Sequence, residues 1–147
     1  MRGFEKITSQ QNNDHVHLPK RQTAHAAGYD IHTPEEVTIG PHAIAKIHTG
    51  IKAHMQEDEV LQLYIRSSMG IKRHLVLANQ VGVIDSDYYN NPSNEGEIII
   101  ALRNTSNEAV LLPAGERIAQ GVFMKFLKAN DDEASASRSG GIGSTNT

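Results

Sequence analysis

From Ala45 to Met55 the chain alternates, with Ala45, Ile47, Thr49, Ile51, Ala53 and Met55 on one parity and Lys46, His48, Gly50, Lys52 and His54 on the other. A period of two sends successive side chains to opposite faces, so the stretch reads as a strand with one face turned to a core. Shorter apolar runs follow at 60–65, 75–77, 81–84, 98–102, 110–112 and 121–126, none long enough for a typical core helix. Between them stand turn formers: Gly40-Pro41, Glu57-Asp58, Asn90-Asn91-Pro92, the stretch 104–107 and Pro113-Ala114-Gly115. Short strands at regular spacing predict an all-β sandwich or barrel. One short helix is expected near Arg66-Ser67-Ser68, where serine hydroxyls can cap free amides ahead of Met69.

A chain of 147 residues with 38% hydrophobic content is enough for one domain with its own core, and the scarcity of aromatics, at 5% with no Trp, predicts that this core is aliphatic. The absence of Cys removes disulfides, thiolate metal sites and cysteine nucleophiles together. A net charge of -3 without a long basic run argues against a DNA or RNA polymer as partner, while a few arginines in a cleft could still neutralise one nucleotide. No run of 18 apolar residues and no apolar signal-peptide core occur, so a soluble, cytoplasmic protein that avoids membranes is expected. From Ala129 onward the composition turns to Ser, Gly, Asn and Asp. This predicts a β domain over 1–129 and a flexible arm over 130–147.

Three segments carry groups that could do chemistry. In Gly82-Val83-Ile84-Asp85-Ser86-Asp87-Tyr88-Tyr89, two acids lie two residues apart where a strand runs into a loop. An acid behind an apolar pair sits at the rim of a core, where a carboxylate can hold a water molecule; equally, both acids could simply solvate a turn. In Tyr64-Ile65-Arg66-Ser67-Ser68-Met69-Gly70, a guanidinium and two hydroxyls follow a strand, which suits phosphate oxygens, or else describes a surface arginine ahead of a helix cap. The run Arg138-Ser139-Gly140-Gly141-Ile142-Gly143-Ser144-Thr145 could let backbone amides approach an anion, but it lacks the P-loop lysine and a following helix. By composition alone it is a disordered tail. The segment Pro113 to Gln120 reads as a hairpin, and the 8 His residues, scattered without metal-ligand spacing, read as surface residues.

Taken together and in order, these segments resemble the five motifs of the trimeric dUTPase family. Ala27-Gly28-Tyr29-Asp30-Ile31 is similar to the first, Arg66-Ser67-Ser68 to the second, the stretch Asn79 to Tyr88 to the third, Gly115-Glu116-Arg117-Ile118-Ala119-Gln120 to the fourth, and the Gly-rich tail to the fifth. The resemblance spans roughly Leu18 to Thr145. It implies a small jelly-roll-like β barrel, assembled as a homotrimer with sites shared between subunits and the arm closing over a neighbour's ligand. It also implies hydrolysis of dUTP to dUMP and pyrophosphate, which limits uracil in DNA and supplies dUMP for thymidylate synthesis. Mg²⁺ would be held by the substrate phosphates, with no protein ligands.

On the matching positions, Asp85 would hold the attacking water at the α-phosphate, and a hairpin over Asn79, Gly82, Val83 and Ile84 would read uracil through its backbone. Tyr88 would lie under the deoxyribose and leave no space for a 2′-hydroxyl. Arg66, Ser67, Ser68 and Gln120 would contact phosphates, with Arg138, Ile142, Gly143 and Ser144 covering the ligand, while Asp30 and Arg117 brace the site as a buried ion pair. Three features depart from the family pattern. Ile142 stands where a stacking Phe is usual, and the spacing Arg138 to Gly141 is one residue short. An insertion, Tyr89-Asn90-Asn91-Pro92-Ser93-Asn94-Glu95, reads as a lengthened hairpin loop that could receive a regulatory protein. Such a variant suits a bacterial or bacteriophage enzyme. Two other readings stand beside this one: a dCTP deaminase-like enzyme of the same fold, and a nucleotide-responsive binding protein.

Overall fold

The computed structural model describes residues 1–143. Its strands are β1 (Gly3–Lys6), β2 (Tyr29–His32), β3 (Val37–Ile39), β4 (Ile44–His48), β5 (Ile51–His54), β6 (Glu59–Ile65), β7 (Leu75–Leu77), β8 (Gly82–Asp85), β9 (Ile99–Asn104), β10 (Val110–Leu112) and β11 (Arg117–Lys125). Among the described residues the single α-helix, α1, is Ser67–Arg73. The expected all-β class therefore holds, as a jelly-roll-like barrel. All its strand pairs are antiparallel, in sheets ordered β2-β11-β6-β8, β4-β9-β7, β1-β5 and β10-β3.

The core is aliphatic, as the composition predicts: Ile31, Leu61, Leu75, Ile98, Leu102, Leu112 and Ile118 are wholly buried. Each such side chain contributes about 2 kcal/mol by leaving water. Aromatic rings stay at the margin, where Phe4 lies 5.5 Å from Tyr29 and 5.3 Å from Phe123 between ring centroids. Asn104, wholly buried at the end of β9, has its amide satisfied by donating to the carbonyls of Ile39 (3.0 Å) and Glu108 (2.7 Å).

The alternation from Ala45 to Met55 does not form one strand. Ile47, Thr49, Ile51 and Ala53 are inside as expected, but Gly50 and Lys52 of the other parity are buried as well. The chain nevertheless breaks at Gly50, whose φ of +74° belongs to the left-handed region, and a Cβ there would sit 2.9 Å from Val16. The two halves then join different sheets, β4 beside β9 and β5 beside β1. Lys52, on the supposedly exposed parity, is buried because Asn90 and Glu95 both accept from its Nζ at 2.6 Å.

The connections read as hairpins also differ. The turn after β7 leads to β8 in another sheet, residues 86–98 carry the chain from β8 to β9 across sheets, and 113–116 link β10 to β11 in the same way. Alternation reports a buried face but not which strand lies alongside. The helix starts where expected, but its cap is Arg66 in extended conformation, with no side chain bonded to the first-turn amides. At the other end His74 adopts φ +57°, and its backbone N–H closes on the Met69 carbonyl.

Candidate active site

β8 is the edge of the four-stranded sheet and pairs with β6 so that Gly82 faces Leu63 and Asp85 faces Val60. A Cβ on Gly82 would lie 2.9 Å from the Leu63 side chain, so glycine is what lets the two strands run flush. Asp85 ends the strand, and a 3-10 turn over Ser86–Tyr88 then folds Tyr88 inward, where it is buried. A pocket of about 370 Å³ opens here. Asn79, Gly82, Val83, Ile84, Asp85 and Tyr88 line it, with Arg138, Ile142 and Gly143 of the arm across it. These are residues the sequence motifs single out, brought together from two distant segments. Ser144, expected beside them, lies outside the described residues.

The arm is tied to the two acids. Arg138 Nη2 lies 2.5 Å from Asp85 Oδ2 and Nε lies 2.7 Å from Asp87 Oδ1. Asp85 and Asp87 therefore converge through one guanidinium, not through strand periodicity, since Asp87 has already left the strand. The hydrogen bond to Asp87, opposed by burial and helped by both carboxylate charges, raises the Arg138 pKa further above its ordinary value. Gly141 packs flat on the Tyr88 ring, where a Cβ would meet the ring at 2.8 Å. In this single chain the arm thus lies over its own pocket, whereas the family resemblance implies a neighbour's.

A second group gathers at the other end of β6. Asp30, 6% exposed, lies between Arg66 Nε at 3.1 Å and Arg117 Nη1 at 3.3 Å. The expected Asp30–Arg117 pair is present but shared with Arg66, which also donates from Nη1 to the Arg117 carbonyl at 3.3 Å. A bulge in β11 between Arg117 and Ala119 turns the arginine toward this site. Gln120 donates to the Ile65 carbonyl at 3.4 Å and fills the space beside Gly28, where a Cβ would fall 2.1 Å from its Oε1. Arg66, Ser68 and Arg117 line a cleft of about 360 Å³ with Lys72 and Arg73 of α1. Its cationic rim suits a polyanion. Ser67 is exposed at the start of α1 and does not line this cleft.

The two groups do not meet within one chain. Asp85 stands opposite Val60 at one end of β6 and Arg66 follows the other end, about 20 Å away at the rise of an extended strand.

Several contributors carry no motif in the sequence. Leu63 from β6 and Ile99 and Ala101 from β9 of another sheet complete the pocket beside Asp85, a meeting of two sheets that only the tertiary fold makes. Lys72 and Arg73 were detectable only as a basic last turn of the predicted helix. His32 is the exception among surface histidines: its Nδ1 is buried without a hydrogen-bond partner, and burial, then the nearby His17, lower its pKa. The inserted residues 89–95 turn their polar groups inward: Asn91 is buried, Tyr89 donates to Glu5, and Glu95 holds Lys52. Among the described residues no group of three His, Cys, Asp or Glu gathers as a metal site, and no helix is long and apolar enough to cross a membrane.

A protein-family model described as dUTPase matches residues 14–146. The deoxyuridine 5′-triphosphate nucleotidohydrolase of Lactococcus lactis subsp. lactis (strain IL1403) is 52% identical over 147 residues, covering 99% of this chain and 97% of its own. The corresponding protein of Helicobacter pylori (strain P12) is 34% identical over 145 residues, covering 95% and 96%. Among solved structures, the dUTPase from Streptococcus mutans superposes with a TM-score of 0.81 at 53% identity, over 87% of this chain and 98% of that one. The Staphylococcus bacteriophage 80alpha dUTPase, solved with dUPNHPP, reaches 0.70 at 24% identity over 100% and 99%, a likeness of fold alone.

Proposed function

The chain belongs to the dUTPase family and hydrolyses dUTP, and from that premise we propose how its residues divide the work. Uracil enters the pocket between the backbone of 79–84 and Ile142, with the deoxyribose on Tyr88. Asp85 accepts a hydrogen bond from a water molecule and aims its oxygen at the α-phosphorus. Attack forms the new P–O bond of dUMP and breaks the bond to the bridging oxygen, so that pyrophosphate leaves; the water's proton passes toward Asp85. Such a displacement depends on positioning and charge neutralisation more than on covalent help. Mg²⁺ would come bound to the triphosphate as part of the substrate and would neutralise part of its charge.

The observation that carries this reading is the convergence of Asp85, Tyr88 and Arg138 on one nucleoside-sized pocket. Arg138 is placed to leave Asp85 for a phosphate when substrate binds, which would free the carboxylate for water as the arm closes. The separation of Asp85 from Arg66 along β6 supports sites shared between subunits of a homotrimer: one chain supplies the nucleoside half, and a neighbour supplies Arg66, Ser67, Ser68 and Gln120. Asp30 and Arg117 hold Arg66 in place.

Measuring pyrophosphate from dUTP, with dTTP, dCTP and UTP as competitors and ammonia release from dCTP as the contrast, tests the assignment. Pyrophosphate from dUTP is expected; ammonia without pyrophosphate would assign the site to a deaminase.

A further inference from the structure

Tyr88 is held by more than its ring packing. Its hydroxyl donates to the Glu97 carbonyl at 2.5 Å and accepts from Asn94 Nδ2 at 2.8 Å. The orientation of the Asn94 amide is fixed, because its Oδ1 accepts from Asn91 Nδ2 at 2.7 Å and from the Gly96 N–H at 3.1 Å, which leaves Nδ2 to face the phenol. Asn91 is in turn buried and satisfied at both ends: Nδ2 also donates to the Tyr88 carbonyl at 2.8 Å, and Oδ1 accepts from the backbone of Ser93 at 3.0 Å. Gly96 closes the loop at φ +87°, where any Cβ would lie 2.6 Å from the Tyr88 carbonyl oxygen. The far side is anchored by buried Lys52 through Asn90 and Glu95. These bonds run from the inserted loop into the one ring that the proposed function places beneath the sugar.

We propose that the inserted loop is a brace for Tyr88, with Asn94 as its positioning residue, and that this brace sets how strictly the site refuses a ribose 2′-hydroxyl. The inference rests on the reading of Tyr88 as the floor of the sugar site. A ring pinned only by packing can tilt to make room for a hydroxyl; one pinned at its far end by a donor and an acceptor cannot do so without breaking two part-buried hydrogen bonds. Burial raises the Tyr88 pKa above the ordinary tyrosine value, so the phenol keeps its proton and goes on donating to Glu97 at neutral pH. The loop thus has an internal role: it converts a passive steric floor into a rigid one.

The test is kcat/KM for dUTP and for UTP in the full-length protein, wild type against Asn94→Ala, Tyr88→Phe and the double variant. Asn94→Ala is expected to lower the dUTP-to-UTP ratio about tenfold, mainly through a lower KM for UTP, Tyr88→Phe to lower it at least as far because it also severs the Glu97 bond, and the double variant to lower it no further than Tyr88→Phe alone. A merely structural loop would affect both substrates alike. Should Asn94→Ala fail to fold, Tyr88→Phe carries the test, since it removes the hydroxyl and leaves the Asn91 bonds in place. A ratio unchanged in Asn94→Ala and Tyr88→Phe but relaxed in Tyr88→Ala would overturn the brace alone; a ratio unchanged in Tyr88→Ala as well would overturn the sugar-floor reading beneath it.

Discussion

Asp85 is half exposed at the mouth of its pocket and pairs there with Arg138 of the arm, and the proposed function gives its carboxylate the attacking water. Asp85→Asn keeps the volume and removes the charge, so dUTP turnover should fall roughly a thousandfold while equilibrium binding of dUTP stays measurable. Ile142 is exposed at the pocket rim, and an aromatic ring there could stack on uracil. Ile142→Phe should therefore lower KM for dUTP several-fold with little change in kcat, as read by steady-state kinetics. His32 gives a pH signature. Its folded pKa lies below the unfolded value of about 6.5, so above that pH it contributes nothing, and as pH falls through it the unfolded chain takes up a proton that the folded one refuses. Stability should decline on acidification from that point down to the folded pKa, and His32→Gln should flatten the decline in urea titrations at pH 7 and pH 5.5. At this scale the motif residues were legible because each has a chemical type suited to its task. His32, Asn94 and Lys52 were not, because burial by distant segments gives them their roles, and a polar residue in a loop or on a strand's polar parity carries no mark of that.

Strands were legible one at a time and their partners were not. Alternating burial held only through residues 45–49, the next four residues being buried on both parities; Gly50 split the run between two sheets, and the supposed hairpins around 79–85, 89–95 and 113–120 proved to be crossings. A small residue on the polar parity was the only local sign of the break. The closeness of β8 to β6 is a property of the pair, visible only once Leu63 is known to face Gly82. Gly82→Ala should strain that contact and cost about 1–3 kcal/mol in chemical denaturation, and should raise KM for dUTP because the pocket floor shifts with it. The arm behaves as a separate element: after Lys125 no further strand occurs among the described residues, and its ties to the domain include Arg138 on the two acids and Gly141 on Tyr88. Removing residues 137–147 should leave the thermal midpoint of the barrel within a few degrees while hydrolysis is lost. A truncated protein with full turnover would show that the arm has no part in catalysis.

For the molecule as a whole, geometry along β6 is decisive. Within one chain Asp85, at the mouth of its pocket, and Arg66, in the cationic cleft, lie about 20 Å apart along the strand. The motif order in the sequence gave no hint of this, because residues 66 and 85 are close in the chain and far apart on the sheet only once β6 and β8 pair antiparallel. The homotrimer proposed above, in which each site joins two chains, would resolve the separation. It also makes activity depend on protein concentration wherever the assembly dissociates. The direct measurement is complementation by mixing: Asp85→Asn and Arg66→Gln chains, each prepared alone and then unfolded and refolded together in equal amounts, are assayed for pyrophosphate from dUTP. Each parent should be nearly inactive, and the mixture should regain about a quarter of wild-type turnover, since a random site draws an intact Asp85 from one chain and an intact Arg66 from its neighbour with even odds for each. A mixture as inactive as its parents would place both residues of a site in the same chain and contradict the shared site.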